Sequence, residues 1–333
     1  MAVRLEKVLP FLIREDQTGF IKGRSSSYNV RKLLHIINIC QTQEIDSMVI
    51  SLDAEKAFDR VGWSYLFNIL HKFNLGDNFI RWVKLLYKNP MAAVITNGYR
   101  SDNFPLHRST RQGCPLSLAL FALAIEPLAE AIRQDSDIIG IQHKISLYAD
   151  DVLLFVLEPE TSVSRLVDVI TLFGCFSVYK INFSKSLAMP MGSLRDRTTT
   201  LPSFPFKWSI TGFVYLGIHI TPLFHGMYKA NFNPLLDSIR RDLDRWAPLP
   251  LSLLGRVSII KMNILPRLLY PLQMIPLLLS GKVLRLLNGW LIDFIWNKRK
   301  PRLKVAKLQL PSSKGGLDLP NIRWYQLASH LRF

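Results

Sequence analysis

The sequence predicts an α+β fold in which helices alternate with antiparallel hairpins, and three observations predict it. Apolar residues recur at helical spacing in Val30, Leu33, Leu34 and Ile37, and again across residues 116–133. Short β-like runs, 48–52 and 152–157, stand between the helical stretches. The pair Asn97-Gly98 sits between two extended segments, as a two-residue hairpin turn requires. Helices mixed with hairpins in this order specify α+β architecture.

Taken in order, residues 25–27 offer serine caps to a first apolar helix. The run 48–52 reads as a strand that ends at Asp53. An amphipathic helix follows over 57–72, and another over 77–87 with Phe79, Trp82, Val83 and Leu86 on one face. Residues 92–106 read as a hairpin, and Arg111-Gln112-Gly113 as a loop before the long helix 116–133. The β-like runs 138–141 and 152–157 flank Tyr148-Ala149-Asp150-Asp151, and a helix is expected over 162–178. Residues 214–220 read as one strand, with Gly217 inviting close approach. From Tyr228 onward the pattern is helical and basic, broken by Pro234, Pro248, Pro250 and Pro266.

Composition narrows the function. The chain has 333 residues, 49% hydrophobic and 20% charged, which excludes disorder as its main state. Lys and Arg number 42 against 25 acids, a net +17 that calls for a polyanionic partner, nucleic acid or an anionic membrane. The excess is uneven: residues 229–333 hold 18 Lys and Arg against 5 Asp and Glu. A nearly balanced body with a basic clamp is the implied layout. Cys40, Cys114 and Cys175 are too scattered for a disulfide framework or a zinc site, which suits a reducing compartment. The charged N-terminus does not read as a signal peptide, and the longest apolar run, 268–280, is too short to span a bilayer. The expected location is intracellular, in nucleus or cytoplasm, with no membrane partner.

Two acidic sites interrupt the apolar pattern at strand ends: Asp53, and the pair Asp150-Asp151. Taken singly, Asp53 could cap a helix and the pair could be a polar turn. Carboxylates gathered in one place repel unless a cation neutralises them. Magnesium takes a few carboxylates and completes its shell with water and phosphate oxygens. Two such ions can hold the attacking and leaving oxygens of a phosphoryl displacement.

The strings SLDAEKAFDR (51–60), RQGCPLS (111–117), LYADDVLLF (147–155), YKINFSKS (179–186) and VYLGIHI (214–220) occur in that order, preceded by QTGFIKGR (17–24). Together they resemble the successive fingers and palm motifs of reverse transcriptases from non-LTR retrotransposons of the long interspersed element type. The resemblance runs to GGLDLPNI (315–322). It implies a right-hand polymerase with an antiparallel palm sheet backed by helices, partial fingers and a helical basic thumb. The implied divisions are partial fingers 1–47, palm 48–225, thumb 226–297 and a basic C-terminal extension 298–333.

Carried over residue by residue, the resemblance makes Asp53 and Asp150 the metal-bridging carboxylates. The carbonyl of Ala54 would complete one shell, and Asp151 would be the second acid of the pair. The cofactor is Mg2+, two ions, with Mn2+ possible. Phe58 would press where a ribose 2′-OH would lie. Arg111, Gln112 and Gly113 would lie under the incoming dNTP, and Lys185 could protonate or screen the pyrophosphate. Leu118 departs from the family string, where proline follows the serine. Tyr148 and Gly217 would flank the primer end. Simple packing or a solvated loop remains the alternative for Phe58, Lys185, Tyr148 and Gly217, an ordinary loop before a helix for Arg111, Gln112 and Gly113, and a structural turn acid for Asp151.

Arg240, Arg241, Arg245 and the cluster 298–307, interleaved with Trp246, Trp290, Trp296 and Trp324, would bind phosphates. The implied partners are an RNA template, a DNA primer and their heteroduplex. No basic fingers strand is recognisable before Gln17, and Arg4 and Lys7 are poor substitutes for it. No endonuclease or Cys/His cluster is recognisable either. The expectation is the polymerase segment of a longer element protein, an RNA-directed DNA polymerase. The alternative is a catalytically inactive nucleic-acid-binding remnant of the same fold.

Overall fold

A computed structural model describes residues 1–111, 113–196 and 204–331, and for Gln142 the backbone alone. The described chain divides into two compact units, Met1–Leu216 and Gly217–Phe333.

The first unit opens with helix α1 (Ala2–Leu12) and helix α2 (Ser26–Thr42). Ser25 caps α2, and Val30, Leu33, Leu34 and Ile37 are all buried, as their spacing predicts. Strand β1 (Ser47–Leu52) follows. The helix expected over 57–72 is broken into α3 (Ala57–Arg60) and α4 (Trp63–Lys72). The break has a physical cause: Val61 turns extended, and the Gly62 N–H donates to the Ser177 carbonyl at 3.1 Å instead of continuing the helix. Helix α5 (Asp77–Leu86) buries Ile80 and Val83. Trp82 and Leu86, expected on its inner face, are 59% and 58% exposed, so that face is rotated from the reading.

The expected hairpin over 92–106 is two short ladders. Strands β2 (Met91–Ala92), β3 (Ile95–Thr96), β4 (Tyr99–Arg100) and β5 (Phe104–Pro105) pair β2 with β5 and β3 with β4. Asn97 and Gly98 both take positive φ in the turn between β3 and β4, which is why this pair suits it. Helix α6 (Ser117–Gln134) is the central helix, buried along most of its length.

Strand β6 (Gly140–Tyr148) runs later than the expected 138–141, straight into the acidic turn, and β7 (Asp151–Leu157) leaves it. Helix α7 (Pro159–Ser177), β8 (Leu187–Met191), β9 (Lys207–Trp208) and β10 (Phe213–Tyr215) complete the unit. The sheet order is β6-β7-β1-β8-β9. The first four strands are antiparallel, whereas β9 joins β8 in parallel, a departure from an all-antiparallel sheet. Between two neighbours, β1 buries the consecutive residues Met48, Val49 and Ile50, and Leu52 beyond them, so both of its faces are covered rather than one. The strand expected over 214–220 is interrupted, because Leu216 and Gly217 both have positive φ.

The second unit begins with β11 (Ile218–Ile220) and is otherwise helical. Helix α8 (Gly226–Trp246) passes through Pro234 without ending there, contrary to expectation. Helix α9 (Leu253–Ile259), a π-turn (Ile260–Ile264) and α10 (Leu265–Met274) follow without a loop. Helix α11 (Gly281–Ile295), the short α12 (Val305–Leu308) and α13 (Ile322–Leu331) close the chain. Ile239, Ile260, Ile264, Leu268 and Leu287 form a core of this unit's own.

One ion network anchors the start of the chain to the core. Arg133 on α6 grips Asp16 with two bonds of 2.8 and 2.6 Å and also reaches Glu126 and Glu130, each at 2.8 Å. Burial raises Glu126, and the Arg133 charge offsets this only in part. Burial works against the Arg133 charge too, but Asp16 and Glu126 outweigh it and hold the guanidinium protonated. Arg133→Ala would leave three carboxylates without their shared cation. We expect a loss of about 3–5 kcal/mol in urea denaturation, and a loss under about 1 kcal/mol would show the network to be incidental.

Candidate active site

The register of the sheet assembles the acids. Leu52 on β1 faces Val152 on β7, so one step further along each strand Asp53 comes opposite Asp151. Tyr148 pairs with Asp151 across the β6–β7 hairpin, which leaves Ala149 and Asp150 as its two-residue loop. Ala149 takes φ of 55°, a left-handed conformation that costs a non-glycine residue about 1–2 kcal/mol. Asp53 and Asp151 are exposed and Asp150 is half-buried.

A second loop holds Asp53 from behind. The Asp53 N–H donates to Ser186 Oγ at 3.0 Å, and the buried Ser186 hydroxyl donates on to the Asn182 carbonyl at 2.9 Å. The Asn182 N–H donates to the Asp53 carbonyl at 2.8 Å and the Glu55 N–H to the Lys180 carbonyl at 2.9 Å. These two bonds frame the pair Ala54–Ile181. In such a pair the carbonyl of Ala54 points away from Ile181, to the side of β1 on which β7 and Asp151 lie.

The charges sense one another. Crowding by the protein around its carboxylate raises Asp151 to about 6, even though the residue keeps an open face, and Asp150 and Asp53 add their repulsion. Beneath them Tyr179 is 5% exposed, and its hydroxyl has no partner among the described residues. Burial, then the charges of Asp150, Asp53 and Asp151, keep that hydroxyl protonated. The donors around this site are oxygens. Among the described residues no group of three His, Cys, Asp or Glu is placed to hold a metal ion by itself. Oxygen donors are the kind a hard divalent ion takes, with water and phosphate completing its shell.

The remaining expected residues are placed as follows. Phe58 is half-buried and stacks on Phe121 of α6 at 4.2 Å between ring centroids. Its carbonyl accepts from the Thr110 N–H at 2.7 Å, which ties α3 to the loop before α6. Arg111 is exposed, and its carbonyl accepts from Cys114 N–H at 3.3 Å. Gly113 has φ of 80°, where a side chain would be strained. Gln112 lies outside the described residues. A cavity of about 120 Å³ opens beside this loop, lined by Tyr87, Arg111 and Cys114 among others. Lys185 is exposed on the loop behind Asp53, where its N–H donates to the Asn182 carbonyl at 3.1 Å.

Sequence reasoning did not single out four supports of the acids: Gln17, Gly19, Asn29 and Ser186. Gln17 and Gly19 stand within the string 17–24, where they carried no role of their own. Asn29 sits in the first turn of α2 with no sequence signal, and its Nδ2 donates to the Leu147 carbonyl at 2.8 Å.

The family model described as reverse transcriptase (RNA-dependent DNA polymerase) matches residues 1–220. The chain belongs to the reverse transcriptase family. It is 28% identical over 330 residues to the Transposon TX1 uncharacterized 149 kDa protein of Xenopus laevis, covering 97% of this chain and 25% of that one. It is 24% identical over 303 residues to the Retrovirus-related Pol polyprotein from type-2 retrotransposable element R2DM of Drosophila melanogaster, covering 85% and 27%. These relatives set it among the reverse transcriptases of non-LTR retrotransposons, and it spans about a quarter of their length. Among solved structures, telomerase from Candida Tropicalis in complex with a TWJ fragment of telomeric RNA aligns with a TM-score of 0.50 at 11% identity, over 98% of this chain and 52% of that one. That likeness supports a polymerase-like α+β fold. Reverse transcriptases generally use divalent metal ions, in keeping with the oxygen donors described above.

The raised Asp151 makes a signed prediction. An ordinary aspartate titrates near 4, so between about 4 and 6 the folded chain binds more protons than the unfolded one. This group's contribution to stability is therefore greatest at low pH and is lost as pH rises through 6. In metal-free protein Asp151→Asn should raise Tm by about 2–4 °C near pH 7.5 and leave it unchanged near pH 4. An equal gain at both pH values would mean that charge repulsion is not the cause.

Proposed function

We propose that the chain is an RNA-directed DNA polymerase that adds dNTPs to a primer 3′-OH on an RNA template. The observation that carries this reading is the register that brings Asp53 opposite Asp151, with Asp150 in the adjoining turn, inside a chain of this family. In this reading residues 1–47 are partial fingers, 48–225 the palm, 226–297 the thumb and 298–333 a basic extension. Asp53, Asp150 and the Ala54 carbonyl would hold Mg2+, two ions, or Mn2+ in its place, with Asp151 at the edge of the site. The metal would supply neutralisation of the charge that develops on the reacting phosphate oxygens. Phe58 limits room at the sugar, Arg111, Gln112 and Gly113 carry the incoming dNTP, and Lys185 offers a proton or charge to the pyrophosphate. The chain acts inside the cell, in nucleus or cytoplasm, without a membrane partner.

Primer extension with purified protein, Mg2+, a DNA primer and an RNA template tests the reading. The wild-type chain should extend the primer, and Asp150→Asn should slow extension by roughly 10³-fold, about 4 kcal/mol of barrier. Binding of primer and template without extension would instead favour a non-catalytic remnant.

The partner half of the proposal has its own test. Lys298, Arg299, Lys300, Arg302, Lys304 and Lys307 are all exposed, and among the described residues none of them is ion-paired. No long amphipathic helix carries them, which favours phosphates of nucleic acid over a lipid surface. Neutralising four of the six should weaken binding of any RNA–DNA duplex. It should also lower the slope of log affinity against log salt by roughly 0.7–0.9 for each phosphate that is no longer neutralised. An unchanged slope in a filter-binding titration would make this loop a solvated outer face.

A further inference from the structure

The hairpin that carries Asp150 lies at the edge of the sheet, and its outer side is covered by a segment from the start of the chain. Residues 16–19 run along β6: the Leu147 N–H donates to the Asp16 carbonyl at 2.8 Å and the Thr18 N–H to the Leu147 carbonyl at 2.9 Å. Gln17, fully buried, sits at the centre of this segment. Its Oε1 accepts from the Gly19 N–H at 2.9 Å and from the Ala149 N–H at 3.1 Å. Because both partners are donors, the oxygen must face them and the amide nitrogen must face away. That nitrogen is buried with no partner among the described residues. A residue kept for packing alone would be better served by an apolar side chain, so the position points to a need for the acceptor oxygen. Gly19 lets the segment come this close, since a Cβ there would stand 2.2 Å from the Ala149 nitrogen. The segment is itself tied down: Arg24 donates to the carbonyls of Arg14 and Gln17 at 2.6 and 2.7 Å, and Arg133 holds Asp16.

We propose that Gln17 is a positioning residue, whose side-chain oxygen, by accepting the Ala149 N–H, fixes the left-handed turn and so the placement of Asp150. It touches no substrate and acts only through the turn. The link from turn to chemistry rests on the reading of the acids given above, whereas the link from Gln17 to the turn does not.

Hydrogen exchange of the metal-free chain, followed by mass spectrometry, reads the turn directly. Gln17→Met keeps the shape and loses the acceptor. It should lower protection in residues 147–152 by about tenfold and weaken Mn2+ binding, read by the free-ion electron paramagnetic resonance signal, by a similar factor. Gln17→Glu keeps an acceptor oxygen and should retain the protection. Leu66→Ala, a buried change on α4 away from the turn, should lower Tm and leave exchange at 147–152 alone. The proposal is overturned if Gln17→Met exchanges like wild type at 147–152, if Leu66→Ala loses protection there equally, or if Gln17→Glu fails as Gln17→Met does. Should Gln17→Met not fold, Gly19→Ala replaces it: protection must fall in that variant and hold in Gln17→Glu, and the reverse result sinks the idea. If wild type bound Mn2+ but never extended a primer, the polymerase reading would fail while the exchange result stood.

Discussion

Asp53, Asp150 and Asp151 repel one another, and each is fixed to a strand end or a tight turn that cannot swing away without breaking the sheet. The elevated Asp151 is the direct mark of that confinement. Much of the surrounding structure makes sense as restraint against it. Ser186 and Asn182 hold Asp53 from one side, Gln17 and Asn29 hold the hairpin from the other, and β1 is buried deeply enough to serve as a fixed axis between them. A cation entering such a place meets carboxylates already gathered, so little reorganisation is needed to bind it.

The acidic residues were legible in the sequence because each one interrupts an apolar run at a point where a strand must end. The pairing of β1 with β7 was not, since no local pattern records which strands become neighbours. The first serine-capped helix was legible because its apolar spacing and its cap agree. The helix over 57–72 misled because its apolar period continues through Val61-Gly62, where a long-range bond to Ser177 overrides it. The face of α5 misled for a related reason: Trp82 and Leu86 satisfy the period but stay in solvent, while Ile80 and Val83 take the core. The supports of the acids were hidden more deeply. Gln17 and Asn29 work through backbone groups more than a hundred residues away, and backbone groups leave no trace in sequence.

Charge is divided between the two units along with structure. In the first unit many cations are committed to internal partners, as Arg133, Arg165, Arg60 and Lys180 are. In the second, Arg245 and Arg267 share Asp242, but the loop ahead of α12 has no acid with which to share. The short helix that follows it is nevertheless fixed, because Leu308 is buried and its carbonyl accepts from the N–H groups of Leu317 and Leu319, both at 3.0 Å. A charged loop on a rigid base loses less freedom on meeting a polyanion than a free tail would.

The bond between Gln17 and Ala149 spans 132 residues of chain. During synthesis Gln17 leaves the ribosome long before its partner exists, while β6 and β7 can close on each other as soon as both have emerged. Closing so long a loop is entropically slow, so the brace joins a hairpin that has already formed. The acid turn thus acquires its final shape late in folding, when distant parts of the unit have met. A nascent chain that has made the hairpin but not the brace holds its aspartates on a looser frame, and under the proposed function ion capture would be tied to completion of the unit.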